Sequence, residues 1–203
     1  MVIDGILYAI GSVAGGVLAA WLTGIPLVAV PFFAFAAFCL YFFRDPERNV
    51  PPGPDAVSPA DGKVMAVKSD ADGFTRISIF LNVFDVHVNR SPVGGRIAKV
   101  DYRRGAFLVA SKEVASIENE QNIVTMETDD GVRVIYKQIA GLIARRIVFN
   151  KQPGEHVAKG ERIGLMKFGS RMDVLLGPEW NIRVQAGQRV VAGESVLAER
   201  KQG

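Results

Sequence analysis

One dipeptide in this sequence could carry out chemistry on its own backbone. Gly169 and Ser170 are neighbours in the segment from Lys167 to Val174. Glycine lacks a Cβ, so its carbonyl carbon is open to attack by the hydroxyl of the following serine. That attack would give an ester, and elimination would then break the chain after Gly169. Hydrolysis of the resulting dehydroalanine would leave a pyruvoyl group at position 170 and release ammonia. Most Gly-Ser pairs are only turns, so this hypothesis needs support from other residues.

A serine hydroxyl is a weak nucleophile until a base takes its proton, and histidine is well suited to that task near neutral pH. The sequence has two histidines. His87 lies in the alternating segment Phe80–Pro92, which is typical of a strand that leads into a proline turn. From the residues alone, His87 is either this base or a structural histidine bonded to a loop. His156 stands in a Gly-Glu-His-Val turn and is interpreted as structural.

The elements that must position these residues are predicted to be mostly β-strands. After residue 55 the chain consists of short β-branched runs separated by Gly, Asp and Asn, and no long amphipathic helix is predicted there. The predicted strands are Gly62–Val67, Thr75–Leu81, Gly95–Tyr102, Ile123–Glu127 and Arg133–Ile139.

One sequence pattern occurs twice near the C-terminus. Gly154–Gly164 is echoed by Gly187–Leu197, and each copy has a Gly-Glu turn between two short strand-like runs. The spacing predicts paired hairpins. The repeat resembles the hairpins of biotinyl and lipoyl carrier domains, and Ser58–Val64 resembles their opening strand, which predicts a barrel-sandwich-like fold. A shared fold does not by itself set the function.

The first 43 residues differ from the rest of the chain. Gly5–Phe43 contains no Asp, Glu, Lys or Arg, and a bilayer core is crossed by about 20 apolar helical residues. A Thr-Gly-Ile-Pro break divides the stretch into predicted helices from about Ile6 to Leu22 and from about Leu27 to Phe43. We therefore predict a membrane-anchoring helical hairpin at residues 1–43, either spanning or re-entrant. A cleaved signal peptide is the alternative, although Asp4 stands where basic residues are expected.

The residues after this segment suggest the topology. Arg44 and Arg48 follow the second helix, and positive residues next to a membrane segment are retained on the cytoplasmic side. A hairpin would then leave both chain ends in the cytoplasm, with the catalytic domain on the cytoplasmic side of the cell membrane. The Pro-rich stretch within residues 44–54 is predicted to be a linker, and residues 55–203 the folded domain.

Composition excludes some classes of function. The net charge is +3 and the basic residues are scattered, so no nucleic-acid binding is predicted, whereas contact with an anionic membrane is compatible with this charge. The only cysteine, Cys39, can form no intramolecular disulfide. No group of side chains has the usual spacing of metal ligands, so no metal is predicted. The oligomeric state is left open, a homo-oligomer included.

Five motifs in series resemble the short form of the phosphatidylserine decarboxylase family, which is pyruvoyl-dependent. The resemblance covers nearly everything after Arg44, and the apolar N-terminal segment also suits that family. In chain order the motifs are Ser58–Val64, Phe84–Arg90, Glu118–Asn122, Gln138–Ile147 and Phe168–Val174.

The resemblance implies roles for particular residues. Ser170 would be the precursor of the pyruvoyl cofactor, Gly169 would end the β chain, and residues 170–203 would form the α chain. Asp61 and His87 match the family's acid and base positions. Longer members carry a second histidine three residues after the first, and Arg90 stands there in this chain. That histidine's role is therefore not transferred, and His87 would serve both cleavage and decarboxylation or leave one of them to another group.

The resemblance also implies the reaction. The pyruvoyl ketone would act as an electron sink for the decarboxylation of phosphatidylserine to phosphatidylethanolamine, with no external cofactor or metal. Asp85 and Asn89 would share a strand face with His87 and are predicted to support it by packing or hydrogen bonds. A lipid substrate further predicts an apolar lip that faces the membrane. For each candidate residue of this lip, the alternative is packing in the core. The candidates are Phe80, Phe84, Phe107 and Leu108.

Three alternatives remain at this point. A membrane-tethered carrier or binding module of biotinyl or lipoyl type would use Lys167, which follows Met166 between the two repeat copies and would have to be exposed. A purely structural β domain would make no use of Ser170. Other pyruvoyl enzymes act on soluble amino acids, and the apolar N-terminal segment is what favours a lipid substrate here.

Overall fold

The fold is taken from a computed structural model, which describes residues 2–70, 73–142, 146–167 and 169–201. The chain divides into two compact units, Met1–Glu47 and Arg48–Gly203. Phe168 of the predicted cleavage motif and residues 143–145 of the Gln138–Ile147 motif lie outside the described residues.

The first unit is a helical hairpin, as predicted. Helix α1 spans Ile3–Thr23, a 3₁₀ turn follows at Pro26–Ala29, and helix α2 spans Val30–Phe42. Gly24 ends α1 in the left-handed conformation with φ 68°, which suits a residue without a Cβ. The two helices pack closely because Gly16 has no side chain: a Cβ there would lie 2.8 Å from the Cβ of Phe32.

Length and composition make α1 a candidate membrane span. Its 21 residues have a mean hydropathy of 1.7 in the most apolar window, and at about 1.5 Å per residue it is roughly 31 Å long. Helix α2 is more apolar than α1 but has only 13 residues. The side chains that the hairpin leaves exposed are mainly large and apolar, as in Ile3, Trp21 and Leu27. Such a surface suits lipid better than water.

The second unit is mostly β, which confirms the predicted fold class. It also contains a short helix, α3 (Ala115–Glu118). The strands are β1 (Ala56–Val57), β2 (Gly62–Ser69), β3 (Thr75–Leu81), β4 (Val88–Arg90), β5 (Gly95–Arg103), β6 (Gln121–Glu127), β7 (Arg133–Ile139), β8 (Ile147–Phe149), β9 (His156–Val157), β10 (Arg162–Met166), β11 (Ser170–Leu176), β12 (Trp180–Ile182), β13 (Arg189–Val190) and β14 (Val196–Arg200).

These strands form three sheets. The largest has eight strands in the order β13-β2-β3-β11-β7-β6-β5-β9, and the two smaller sheets have the orders β1-β14-β12 and β4-β10-β8. Strand β11 lies inside the large sheet, antiparallel to β3 on one side and to β7 on the other. Its alternate residues Met172, Val174 and Leu176 are fully buried in the core, which is the burial pattern of a strand with an apolar inner face.

The repeat forms differently from a pair of hairpins. In the first copy β9 pairs with β5, whereas β10 pairs with β4 and β8. In the second copy β13 pairs with β2, whereas β14 pairs with β1 and β12. Each copy therefore links two sheets across its turn. The turn glycines Gly160 and Gly193 have φ 76° and 75°, so the chain can change direction there with little strain.

Part of the predicted linker is bound to the second unit. The guanidinium of Arg48 lies 2.9 Å from a carboxylate oxygen of Asp61, and the Asn49 N–H donates to Glu194 over 3.0 Å. The Lys159 ammonium donates to the carbonyl of Gly53 over 2.7 Å. The predicted linker from Arg48 onward is therefore part of the second unit.

Candidate active site

Ser170 is the first residue of β11 and is fully buried. It pairs with Leu81 of β3, and its side chain shares the inner sheet face with Met172 because the two are two positions apart. Its hydroxyl oxygen has no hydrogen-bond partner within the described part of the chain. Gly169, just before it, has φ 55°, a conformation that glycine adopts easily. The serine therefore directly follows a glycine carbonyl, and no hydrogen bond from the described residues competes for the serine hydroxyl.

Gly141 packs against the carbonyl that this serine would attack. A Cβ at position 141 would collide with the carbonyl oxygen of Gly169 and would lie 3.4 Å from the Cβ of Ala110. Sequence reasoning quoted Gly141 inside a motif but assigned it no role. Only the close approach of two distant backbone segments reveals why a glycine is needed there.

His87 is fully buried just before β4. Its Nδ1 lies 2.9 Å from the backbone carbonyl oxygen of Asp85, so Nδ1 carries the proton and Nε2 is the basic nitrogen. The carbonyl of His87 accepts a hydrogen bond from the N–H of Met166 over 3.2 Å. Met166 ends β10 and precedes Ser170 by four residues, so the backbone of the histidine segment is bonded to the segment that leads to the serine.

Asp61 lies in an ion pair. Its carboxylate accepts hydrogen bonds from the Arg48 guanidinium at 2.9 and 3.0 Å and from the N–H of Ala192 at 2.8 Å. These contacts join the start of the unit to the second repeat turn. The Nδ1 of His87 is instead oriented by a backbone carbonyl, which can fix the tautomer as a carboxylate would. The catalytic role of Asp61 stays a prediction.

Arg90, at the position of the family's second histidine, joins the two repeat turns. Its side chain is buried and donates to the carbonyl of Gly160 in the first turn over 3.0 Å. In the second turn, a Cβ at Gly193 would lie 3.0 Å from the Cδ of Arg90. The backbone N–H of Arg90 also donates to Pro59 over 2.9 Å. These contacts hold the two repeat turns and the segment around Pro59 together.

Asp85 stabilises the turn that precedes His87. It is 5% exposed, and its carboxylate accepts a hydrogen bond from the N–H of Asn82 over 2.8 Å while pairing with Arg189. The first contact closes the turn between β3 and β4, and the second ties that turn to β13. The turn that carries the Asp85 carbonyl, and so orients His87, is fixed at both of these points.

A relay of three buried amides crosses the interior to Asn89. The Nδ2 of Asn122 donates to the Oε1 of Gln138 over 3.0 Å, and the Nε2 of Gln138 donates to the Oδ1 of Asn89 over 3.0 Å. Because the Oδ1 of Asn89 accepts the last hydrogen bond of this relay, its Nδ2 is left as a buried donor with no acceptor among the described residues. Buried amide donors without acceptors are costly and rare, so this one is a candidate binding group.

The relay shares the inner sheet face with Ser170. Gln138 lies opposite Met172, two positions along β11 from the serine, and diagonal neighbours of this kind are separated by about 7–8 Å. Burial also raises the pKa of Tyr136, on the same face of β7, so this interior disfavours charge. Asn122 and Gln138 lie at the ends of two of the sequence motifs, but the sequence assigned them no role. The available signal was a polar residue at an inward position of an otherwise apolar strand.

The predicted apolar lip is only partly exposed. Phe84 is 64% exposed, whereas Phe80, Phe107 and Leu108 are half-buried. Other apolar residues of this unit are also exposed, among them Ile117 in α3 (79%) and Leu142 (57%). Leu142 follows Gly141, the residue that packs against the carbonyl of Gly169, so exposed apolar surface lies next to this region.

The fold and the site describe a β domain in which a fully buried serine directly follows a glycine at the start of a strand inside the large sheet. The phosphatidylserine decarboxylase family model matches residues 35–198. The phosphatidylserine decarboxylase proenzyme of Solibacter usitatus is 65% identical over 200 residues, covering 98% of this chain and 97% of that one. Those of Nitrosomonas europaea and Burkholderia vietnamiensis are 49% identical over 179 residues and 46% over 180, covering 85% and 86% of this chain and 83% and 84% of theirs. The chain belongs to the phosphatidylserine decarboxylase family.

The carrier alternative is not supported. A carrier domain must present its modified lysine to other enzymes, but Lys167 is buried, with 9% of its surface exposed. The relatives are decarboxylase proenzymes by name, which also favours the enzyme.

Replacing Gly141 tests the role of the close backbone approach. We expect Gly141→Ala to slow self-cleavage by about 100-fold, the order of loss that follows when a reacting group is displaced by about 1 Å. Denaturing gels of freshly expressed protein would measure the cleaved fraction over time. Gly94→Ala is the matched control, because a Cβ at that half-buried glycine would have its nearest neighbour at 3.5 Å. Equal cleavage in both variants would refute the assignment.

Replacing Asn89 tests the open amide donor. We expect Asn89→Leu to cleave but to lose about 10-fold to 100-fold in decarboxylation, the worth of one hydrogen bond to a charged or reacting group. Radiolabelled carbon dioxide release from the cleaved fraction would measure it. Asn150→Leu, at an exposed position, is the control. Activity of Asn89→Leu within twofold of the unchanged protein would rule out this role.

Proposed function

We propose that this chain is a self-processing, pyruvoyl-dependent decarboxylase that converts phosphatidylserine to phosphatidylethanolamine and carbon dioxide in phospholipid biosynthesis. One observation carries the proposal. In a member of this family, a buried serine hydroxyl with no hydrogen-bond partner in the described chain directly follows a glycine with φ 55°. The rest of the mechanism is built around that bond.

Self-cleavage needs only groups of this chain and water. The Oγ of Ser170 attacks the carbonyl carbon of Gly169 as a base, proposed to be the Nε2 of His87, removes the hydroxyl proton. The C–O bond forms, the C–N bond breaks, and the amino group of residue 170 takes a proton. Loss of the α-proton of residue 170 expels the Gly169 carboxylate, which ends the β chain. Water then replaces the nitrogen of the dehydroalanine, which leaves as ammonia.

The surroundings of residue 170 fit a pyruvoyl group. The group is small, uncharged and carries an acceptor oxygen, and this position is fully buried on a face that offers the unused Nδ2 donor of Asn89. When formed, the ketone supplies an electron sink for the breaking carbon–carboxylate bond. The protein's own contribution is to exclude water, to orient the substrate through Asn89 and to deliver a proton from His87 to the carbon that loses the carboxylate.

Two chains would result from one precursor. The β chain would comprise residues 1–169 and the α chain residues 170–203. Strand β11 starts the α chain and is paired along its length with β3 and with β7, both of which belong to the β chain. The backbone ladders on both sides of β11 would therefore hold the two products of cleavage together.

A membrane location fits both the anchor and a lipid substrate. Exposing an acyl chain costs about 0.8 kcal/mol per CH₂ group, so an enzyme acting on a lipid headgroup gains by working at the interface. Residues 1–43 are proposed as the anchor, 44–54 as the linker and 55–203 as the catalytic domain, on the cytoplasmic side of the cell membrane. At the end of α2 the guanidinium of Arg44 lies 3.9 Å from the ring centroid of Tyr41. Aromatic and cationic residues of this kind concentrate at membrane interfaces.

Intact mass tests the self-cleavage. We expect purified protein to give two fragments divided between Gly169 and Ser170, the smaller one blocked to Edman sequencing and reactive with hydroxylamine. Ser170→Ala should remain one chain because it lacks the nucleophile, and Ser195→Ala, which also removes a serine from the α-chain region, should cleave normally. A single unmodified chain from active wild-type preparations would contradict the proposal.

Substrate choice tests the lipid assignment. We expect release of carbon dioxide from phosphatidylserine in mixed micelles or vesicles and a rate at least about 100-fold lower with free serine, because the soluble amino acid lacks the acyl chains that bring substrate to the anchored enzyme. Both substrates would be assayed on the same cleaved preparation. Comparable rates would instead indicate a soluble amino acid decarboxylase.

A further inference from the structure

A buried pair of opposite charges follows the scissile bond directly. Arg171 is 1% exposed and Asp173 is fully buried, although both are ionisable and belong to the strand that carries Ser170. They lie two positions apart, so they share one face of β11, and it is the face opposite to Ser170 and Met172. The chemistry of the site uses neither residue.

The pair has the geometry of a fork. The Nε of Arg171 donates to the Oδ1 of Asp173 over 2.7 Å, and one of its terminal nitrogens donates to the Oδ2 over 3.2 Å. Paired hydrogen bonds between a guanidinium and a carboxylate are strong and fix the orientation of both groups. The side chain of Arg171 is therefore rigid as well as buried.

Among the described residues, the other side-chain hydrogen bonds of this pair go to the part of the chain before Gly169. Arg171 donates to the hydroxyl of Ser78 on β3 over 2.8 Å and to the carbonyl of Lys112 over 3.3 Å. Asp173 accepts from the hydroxyl of Ser116 over 2.8 Å. Once the bond at Gly169 is cut, each of these becomes a contact between the α chain and the β chain.

A second layer holds the β-chain partners in place. Arg76 on β3 donates to the hydroxyl of Ser116 over 2.9 Å and pairs with Glu113. One of its terminal nitrogens lies 4.0 Å from the carboxylate of Asp173. The network thus connects β3 and the segment around α3 to β11, from two directions.

Cleavage creates a problem that this network can solve. A new chain end tends to fray unless it is tied down, and the reactive ketone would sit at that end. Residue 170 pairs with Leu81 of β3, whereas pairing with β7 begins one residue later, at Arg171. Arg171 is therefore the first position of the α chain that is held on both sides, and its side chain adds fixed contacts there.

Stability alone gives little reason for these charges. Replacing a buried ion pair by apolar residues of similar volume is often neutral or stabilising, so such a pair is weak evidence for a purely structural role. Its hydrogen bonds, in contrast, specify position. Reacting groups must be held to within about 0.5 Å for efficient catalysis.

We propose that Arg171 and Asp173 form an interchain clamp that positions the pyruvoyl end of the α chain after self-cleavage. This inference rests on the proposed function. The two are positioning residues: they act through the backbone of residue 170 and touch neither substrate nor cofactor. Ser78 and Ser116 are their anchors on the β chain.

Three variants of the full-length protein in detergent test the clamp. Arg171→Lys keeps the charge but loses the fork, while Ser78→Ala and Ser116→Ala each remove one interchain hydrogen bond. Arg96→Lys, on the exposed side of β5, is the matched control. The readouts are the cleaved fraction, amide hydrogen exchange at residues 171–173, and kcat and KM per cleaved enzyme with phosphatidylserine in mixed micelles.

We expect all three variants to cleave to the wild-type extent. Amide exchange at residues 171–173 should rise about tenfold or more and kcat should fall about tenfold, with KM within about twofold, because each variant loses at least one of the clamp's hydrogen bonds to a charged group. If Arg171→Lys does not fold, the two alanine variants decide. Unchanged exchange and kcat in the folded variants would overturn the clamp, as would cleavage and kcat falling in parallel. A wild-type protein that never cleaves would overturn the proposed function itself and the clamp with it.

Discussion

The placement of β11 between β3 and β7 is the constraint on which the rest of the structure depends. A strand paired on both sides has its register fixed, and a shift by one residue would exchange its two faces. In the observed register, Ser170 points into the buried interior and Arg171 points to the opposite face. One pairing scheme therefore sets both the environment of the serine and the contacts that would hold its strand after a cut.

The interior that receives Ser170 combines low polarity with a few directed hydrogen bonds. Core residues such as Met172 and Ile79 exclude water, while the amide relay from Asn122 through Gln138 ends in an open donor at Asn89. In such surroundings each remaining polar group has a large effect, because water does not compete with it. A reaction that removes the negative charge of a carboxylate group suits a site of this kind.

The sequence was sufficient for local features and insufficient for those that depend on distant pairing. Alternation and turn residues predicted β3 and β7 at their observed bounds, and apolar composition predicted the helical hairpin. The role of Gly141 could not be predicted, since it arises where that residue meets the carbonyl of Gly169. The repeat was interpreted as hairpins because spacing shows where a chain turns, but not which sheet the strand after the turn joins.

Arg90 shows how a substitution within a family motif can be understood from packing. A histidine there could take part in proton transfer, but the longer arginine side chain reaches Gly160 in one repeat turn and packs at Gly193 in the other. The ion pair between Arg48 and Asp61 adds a third connection near the second turn, through the N–H of Ala192. The buried side chain of Arg90 thus joins the two turns, and Asp61 with Arg48 holds the second one. Proton transfer would then depend on His87, whose tautomer is set by the backbone carbonyl of Asp85 and needs no second imidazole.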